Sequence, residues 1–564
     1  MKKLIALLLA LVMVMAMVAC GNTNAPAKET EAPKADAPAK ETEAPKADET
    51  EAPAEEEPTV ITIGIQKKDT VEDYDTNWLT QTIEEACNVD LEFVFFSADN
   101  AEFGTQFGLM CTNNEELPDI VFGSPTGGNS TFHNEYGAME YFIDLTPYLT
   151  DAEKTPYWHE SLSNAQDGAF DFVRQMSVSP IDGKWYHWPS YIEAAVNMVG
   201  LHTYINQVWL DEVGMDIPKT TDEFYEVLKA FKEKYPDKVA AIGCRGFRSD
   251  LIEWITNAFI YNYNDYFWNV ENGKLYAPYN TDEYREALIY CKKLVDEDLI
   301  DELTLTCTEP GELHAYTTPS GAEGSNVGVF SGHGSLAAEA NNEILFDFVP
   351  LTTLDSGNGK GGNVVLRTHT YNAGAGITSF CENVDKAVEV LDFMSSYEMS
   401  ITKQRGPRGE YWDWVDGGNS NTGAPATYEC WDASLWMNQN NKIWNMDNCT
   451  VSTLNGNALL LEDDGSFGYK KESLYIDLLT QALAADTPDE VVKELIYTAE
   501  EDEVVSEVKT VLQDYVRSQS MLFISGQIDP SNDADWETFC KDLELQGLSK
   551  WQEVAQAAYT RMNG

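Results

Sequence analysis

The chain has 564 residues, of which 94 are acidic and 37 basic, giving a net charge of −57 at neutral pH. Charge of that sign repels phosphate backbones and bare anionic lipid, which excludes nucleic acid as a partner. The ten cysteines include no C-x-x-C pair, so no metal or redox motif is expected, and scattered buried thiols are favoured over a disulfide framework.

The first twenty residues, MKKLIALLLALVMVMAMVAC, place Lys2 and Lys3 before an apolar run from Leu4 to Val18, then small Ala19 before Cys20. The run is too short for a spanning helix and ends at a cleavage-like site, the pattern of a secretory signal peptide. Residues 21–58 are built largely from Lys, Glu, Ala and Pro, with KETEAPKAD at Lys28 and again at Lys40. Such a composition cannot bury a core, and a disordered acidic tether is expected. The remaining 59–564 is longer than one core comfortably serves, so at least two lobes are expected.

Strands are predicted at VITIGI (60–65), VDLEFVFF (89–96) and LPDIVFG (117–123), with WLTQTIEEACN a helix between the first two. That alternation implies a parallel sheet with crossover helices, an α/β fold rich in helix. PIDGKWYHWPSYIEAAV (180–196) then packs Trp185, Tyr186, Trp188, Tyr191 and a histidine into seven positions. TYINQVWLDEVG reads as a helix stopping at Gly214. Thr220 and Glu223 form a capping box ahead of an apolar stripe at Phe224, Val227, Leu228 and Phe231. AAIGCRG is a short strand and DLIEWITNAFIYNY a helix. SNVGVFSGHGSLAAEANN (325–342) reads as strand, glycine turn and helix. ILFDFVPL and NAGAGITSF are strands, followed by a helix with Val384, Ala387, Val388, Leu391 and Met394 on one face. The C-terminal stretch is two amphipathic helices broken at Gly547.

MVACG resembles the lipobox of bacterial lipoproteins, in which the cysteine is diacylated and becomes the mature N-terminus; Met17 stands where leucine is usual. Lipobox, acidic tether, LPDIVFG, DGKWYHWP and INQVWLDEVGMDIPKTTDEFYEVLKAF occur in an order that resembles the family 1 extracellular solute-binding lipoproteins of bacterial ABC transporters. These are maltose-binding-protein-like receptors, and the resemblance is to their large Gram-positive oligosaccharide-uptake branch. VLDFMSSYEMSITKQRGPRGEYWDWVDGG and FISGQIDPSNDADWETFCKDLELQGLSKWQEVAQAAYTR are similar to later segments of that branch. Two departures stand out. KYPDKVAAIG replaces a DPNGNGKxDE loop that could hold a cation, and Arg408 replaces the usual glutamate of GxEG.

The resemblance implies a type II periplasmic-binding-protein fold, two α/β lobes joined by crossing hinge strands. On this basis the expected lobes are 59–195 with 345–400, and 196–344 with 401–564. YHWPSYIEAAV matches the segment where the chain first crosses between lobes and lines the cleft. Trp188 and Tyr191 are therefore candidates to stack on sugar rings and Glu193 to bind hydroxyls, with hinge packing as the alternative. Trp185 and Tyr186 could simply pack behind them. Ser124 follows a strand whose C-terminal end meets the cleft in open α/β sheets, and Arg245 and Phe247 stand at the corresponding strand end of the other lobe. The resemblance adds His333 at its glycine turn, and Trp412 and Trp414 flank Asp413 as further stacking candidates. Trp431, Trp436 and Trp444, in a stretch rich in Asn and Gln, are expected to pack between lobes.

GNGKGG (357–362) satisfies G-x-G-x-x-G but leads into a strand, so no helix N-terminus faces a pyrophosphate. The sequence contains no H-E-x-x-H, G-x-S-x-G or P-loop. No catalytic residue, cofactor or metal is expected. The resulting expectation is a monomer, lipid-anchored through Cys20 on the extracellular face of the cytoplasmic membrane, that delivers an oligosaccharide to ABC permease subunits. A receptor for a peptide or for a charged oligosaccharide such as a uronide is the alternative, kept open by Arg245, Arg248, Arg405 and Arg408. So is an extracellular glycoside hydrolase using two carboxylates.

Overall fold

The computed structural model describes residues 57–563, except 126–127, 166–167, 246–248, 309, 314–315, 317–323, 333–342, 368–369, 421–424, 432–434, 436–437, 446–450, 461–466, 486–487, 489 and 493–494. The signal peptide, Cys20, nearly all of the tether, Phe247 and His333 lie outside the described residues. β1 (Thr59–Gln66) and β2 (Val89–Phe96) pair in parallel from Thr59↔Val89 to Gln66↔Phe96. The helix Trp78–Cys87 crosses between them as the alternation predicts. Its N-cap Asn77 accepts a hydrogen bond from the Leu79 amide, and Leu79, Ile83 and Cys87 are buried one turn apart. β3 (Ile120–Phe122) lies parallel on the other side of β1.

β4 (Trp188–Glu193), β11 (Thr370–Ile377) and β14 (Thr453–Asn455) complete a six-stranded sheet in the order β14-β4-β11-β3-β1-β2. β11 runs antiparallel to both β3 and β4, so the parallel sheet expected from sequence is mixed. A second, four-stranded sheet has the order β10-β5-β9-β6, from β5 (Thr203–Asn206), β6 (Val239–Ile242), β9 (Val327–Ser331) and β10 (Phe348–Pro350). β7 (Asn269–Glu271) and β8 (Lys274–Tyr276) form a separate hairpin. So do β12 (Trp412–Trp414) and β13 (Tyr428–Cys430).

Each sheet has its own core. Ile61, Ile63, Trp158, Trp188, Leu391 and Trp444 share one cluster around the first sheet. Ile205, Phe224, Phe231, Leu288, Leu512 and Trp551 share another around the second. These pairings correct the expected lobe boundaries. Residues 348–350 pair with β5 and so join the second lobe, while β14 pairs with β4 and Trp412, Tyr428 and Leu454 pack beside Ile192, joining the first. The chain still crosses three times, but the second crossing falls after β10 and the third after β14.

Residues 203–206 are a strand and only Gln207–Val213 a helix. All four strand residues are buried between β9 and β10, and those pairings override the helical reading of TYIN. The capping box at Thr220 and Glu223 forms as read, and Phe224, Val227, Leu228 and Phe231 are buried. Only Tyr235–Lys238 separate that helix from β6, a tight connection where a cation-binding loop would need more chain. Gly547, at φ +104, breaks the two C-terminal helices Asp533–Leu545 and Leu548–Asn563. No disulfide joins the eight cysteines among the described residues to one another.

Two crossings between the lobes are laced together. The Gly200 amide donates to the Val365 carbonyl and the Arg367 amide to the Met198 carbonyl, both at 2.8 Å. A Cβ on Gly200 would come within 2.6 Å of Val365, so only glycine allows this approach.

Candidate functional site: a cavity between the lobes

The residues singled out from sequence do not gather in one place. Trp188 is completely buried in the first-lobe core, edge-on to Trp158, with its indole Nε1 donating to Ser395 Oγ at 2.8 Å. It presents no ring face to solvent. Tyr191 is also buried, and its hydroxyl donates to Glu193 Oε1 at 3.1 Å. Trp185 lies in the same core, while Tyr186 covers Gly137 so closely that a Cβ there would come within 2.2 Å of its ring. Trp412 is enclosed, with Nε1 donating to the Gly406 carbonyl at 2.9 Å. Trp414 is 39 % exposed and stacks on Tyr397 at 5.8 Å between centroids. Arg245 sits beyond β6, where its amide donates to the Cys307 carbonyl. The Ser124 hydroxyl donates to the Asn129 carbonyl at 3.4 Å, which places it one residue contact from the cavity.

That cavity, of about 550 Å³, opens between the two lobes. Its first-lobe wall is the loop Gly128–Ser130, the helix Thr131–Ala138 through Asn134 and Glu135, and the start of β11, Thr370–Asn372. Gly128 holds the loop against β11. Its φ is +92°, a Cβ would come within 2.3 Å of Asn372 Oδ1, and its carbonyl accepts from the Ala373 amide at 2.6 Å. Asn134 is buried beside the cavity, and its Oδ1 has no hydrogen-bond partner among the described residues. Met176, Pro180 and Ile181 add an apolar edge just ahead of the aromatic stretch. Asn197 and Arg367 come from the two crossings themselves.

The second-lobe wall is one face of the 26-residue helix Ala499–Ile524. Asp502, Ser506, Lys509 and Thr510 line the cavity at helical spacing. Thr498 caps the helix and forms a capping box with Glu501, fixing the end that meets Tyr497 and the cavity. Asp265, Tyr266 and Trp551 close that side. Tyr266, Tyr371, Tyr497 and Trp551 thus supply aromatic surface among amides, hydroxyls and charges.

Tyr371 is held from behind. Its hydroxyl is hydrogen-bonded to His187 Nε2 at 2.6 Å and to Ser177 Oγ at 3.0 Å. Both partners are fully buried, and burial pushes the His187 imidazole down to about 3, so it stays neutral at physiological pH. Glu135 titrates above the ordinary glutamate range because of burial, with Asp502 and Glu503 adding like-charge repulsion. Burial also raises Asp502, and Lys509 partly offsets it. Burial alone would lower Arg367, but Tyr263, Tyr266 and Asp265 hold it above its ordinary value. Sequence reading missed these residues. The one available signal was His187, whose place in the aromatic stretch invited a look at what it touches.

Two α/β lobes, laced crossings and a polar, aromatic cavity between them define a cleft-type binding protein. The chain belongs to the family of bacterial extracellular solute-binding proteins, which it matches over residues 84–401. It is 26 % identical over 337 residues to Lipoprotein LipO of Bacillus subtilis (strain 168), a match covering 56 % of this chain and 61 % of LipO. The same organism's polygalacturonan/rhamnogalacturonan-binding protein YtcQ is 35 % identical over 125 residues, 22 % of this chain and 24 % of YtcQ. The chain thus spans less than two thirds of either relative. The fructooligosaccharide ABC transporter substrate-binding protein FusA of Streptococcus pneumoniae is 21 % identical over 509 residues, covering 85 % and 86 % of the two chains. FusA in complex with kestose has the same fold, with a TM-score of 0.66 at 17 % identity over 90 % of this chain and 99 % of that one.

Proposed function

We propose that this protein captures an oligosaccharide in the cavity between its lobes and delivers it to the permease subunits of an ABC transporter. The observation that carries the reading is the cavity itself, walled by both lobes and by both crossings. Aromatic rings there suit the apolar faces of sugars, while amides and carboxylates suit hydroxyls. Closure of the lobes about the paired crossings would bring the Glu135 and Asp502 walls together around the ligand. FusA, named for fructooligosaccharide, supports the ligand class. Among the noted site residues, Ser124 stays in the proposal through Asn129, and Trp188, Tyr191 and Trp412 act as core packing that fixes the first lobe.

The reading includes an extracellular, lipid-anchored location through Cys20, supported by the signal-like run ahead of it and by the lipoprotein relative. Cys20→Ser should release the protein from the membrane fraction, and a variant that stays membrane-bound and normally processed would refute the anchor. No helix among the described residues is long and apolar enough to cross a membrane. A glycoside hydrolase would also face two carboxylates across a cleft, as Glu135 and Asp502 do. A thermal-shift panel of oligosaccharides tests the binding reading, because a ligand that binds only the native state raises its melting temperature. Chromatography of the recovered sugar separates the alternatives. An intact ligand supports capture, and shortened products support hydrolysis.

A further inference from the structure

His187 is not part of the cavity wall, yet it is bonded to a residue that is. It sits directly ahead of β4 and is fully buried, while Tyr371, near the start of β11, lines the first-lobe side. Tyr371 pairs with Tyr191 in the β4–β11 ladder, which fixes its backbone. Strand pairing does not by itself choose the side-chain torsions. Those are set at the far end of the ring, where the hydroxyl meets His187 Nε2 at 2.6 Å and Ser177 Oγ at 3.0 Å. Ser177 is also fully buried and comes from another element, the last turn of the helix Ala169–Ser177. The hydroxyl oxygen lies on the ring axis, so these two bonds fix χ1. The rings of Phe172 and His187, edge-on to Tyr371 at 6.3 and 6.1 Å between centroids, limit χ2.

The direction of the first bond follows from counting donors. A neutral imidazole carries one N–H and one lone pair, and His187 Nδ1 is buried with no hydrogen-bond partner among the described residues. Buried N–H groups are left orphaned less often than acceptors, so the proton belongs on Nε2 and His187 donates to Tyr371 Oη. Resting on the oligosaccharide reading above, we propose that His187 and Ser177 are positioning residues for ligand binding, which hold the Tyr371 ring in its ligand-bound orientation before ligand arrives. Neither touches the ligand. Ordering a side chain on binding costs affinity, and a ring already ordered by its own lobe escapes that cost. Cutting the link should therefore weaken binding about three- to tenfold, a loss carried entirely through Tyr371.

The test is a double-mutant cycle read by calorimetric titration of the full mature chain. Kestose, maltotriose and galactotriose are the probes, and the one that binds wild type most tightly carries the comparison. His187→Leu and Tyr371→Phe should each weaken that probe about three- to tenfold. Their double variant should bind within about twofold of the weaker single variant, because both changes cut the same bond. His187→Gln keeps an amide N–H donor in place of Nε2, and its affinity should return to within about twofold of wild type whatever its melting temperature. Losses that multiply in the double variant would overturn the proposal and leave the oligosaccharide reading standing. So would a lowered melting temperature in His187→Leu with unchanged affinity, which would reduce His187 to packing. Binding by His187→Gln as weak as by His187→Leu would overturn the hydrogen bond as the cause. Should His187→Leu not fold, Ser177→Ala takes its place in the cycle, with the same expected coupling to Tyr371→Phe and the same contrary result. If none of the three probes binds wild type, the oligosaccharide reading fails and the positioning role fails with it.

Discussion

The stretch around β4 and the cavity face of the helix Ala499–Ile524 make an instructive pair. The first is dense in aromatics and places Trp185, Trp188 and Tyr191 in the core of its lobe. The second offers Asp502, Ser506, Lys509 and Thr510 to the cavity and has no aromatic of its own there. Aromatic density in a sequence therefore reads first as burial, because large rings bury the most area wherever they can pack. Cavity walls are assembled differently here, from single residues on elements hundreds of positions apart. Tyr371 joins the two regimes, with its ring at the cavity and its hydroxyl tied to His187 of the buried stretch.

The contrast can be tested by substitutions on each side. Trp188→Ala should have the largest effect, a loss of about 3–5 kcal/mol of stability, as for other large-to-small changes of buried aromatics. Its folded fraction should bind oligosaccharide with unchanged affinity, so unfolding curves and calorimetry should diverge. Tyr371→Ala should instead weaken binding by about 2 kcal/mol, roughly thirtyfold, with a smaller stability loss of about 1–3 kcal/mol as buried His187 and Ser177 lose a partner. Loss of stability without loss of affinity in Tyr371→Ala would dissolve the distinction between the two regions.

A smaller effect concerns pH. Glu135 has a folded value raised above the ordinary 4.5 by burial and by Asp502 and Glu503. A raised acid favours the state that raises it below its ordinary value, and that contribution is lost as pH rises through the raised value. The contribution of Glu135 to folding stability should therefore decline as pH rises above about 4.5, and Glu135→Gln should remove that part of the melting-temperature profile. His187 acts in the opposite sense, because an imidazole held near 3 in the fold but free to charge near 6.5 when unfolded costs stability as pH falls through 6.5. The smallest effect belongs to Trp414→Ala. This ring is partly exposed and stacked on Tyr397, so about 1 kcal/mol of stability or less should be lost, with affinity untouched. A tenfold loss of affinity there would move the ligand toward the β12–β13 hairpin.

Much of the fold was legible because local signals agree with tertiary packing. The period-two and helical patterns of 59–123 give β1, β2 and β3 with the crossover helix Trp78–Cys87, and the Thr220 and Gly547 boundaries form where the capping and glycine signals stand. The strand Thr203–Asn206 was not legible, since four residues carry little period and its identity comes from partners at 327–331 and 348–350. The lobe boundaries failed for the same reason, because β10 and β14 are three-residue strands placed by pairing alone. The candidate site was the least legible part. Glu135, Tyr371 and Asp502 lie on three elements, and no spacing in the sequence announces that they share a cavity.

The most direct test of the cavity as the ligand site is amide hydrogen exchange with and without a saturating oligosaccharide identified by the thermal-shift panel. Protection is expected to rise together in 128–135, in 370–372 and at the start of the helix Ala499–Ile524, with 412–414 unchanged. Protection confined to 412–414 and 428–430, with the three cavity segments unaltered, would contradict a site between the lobes.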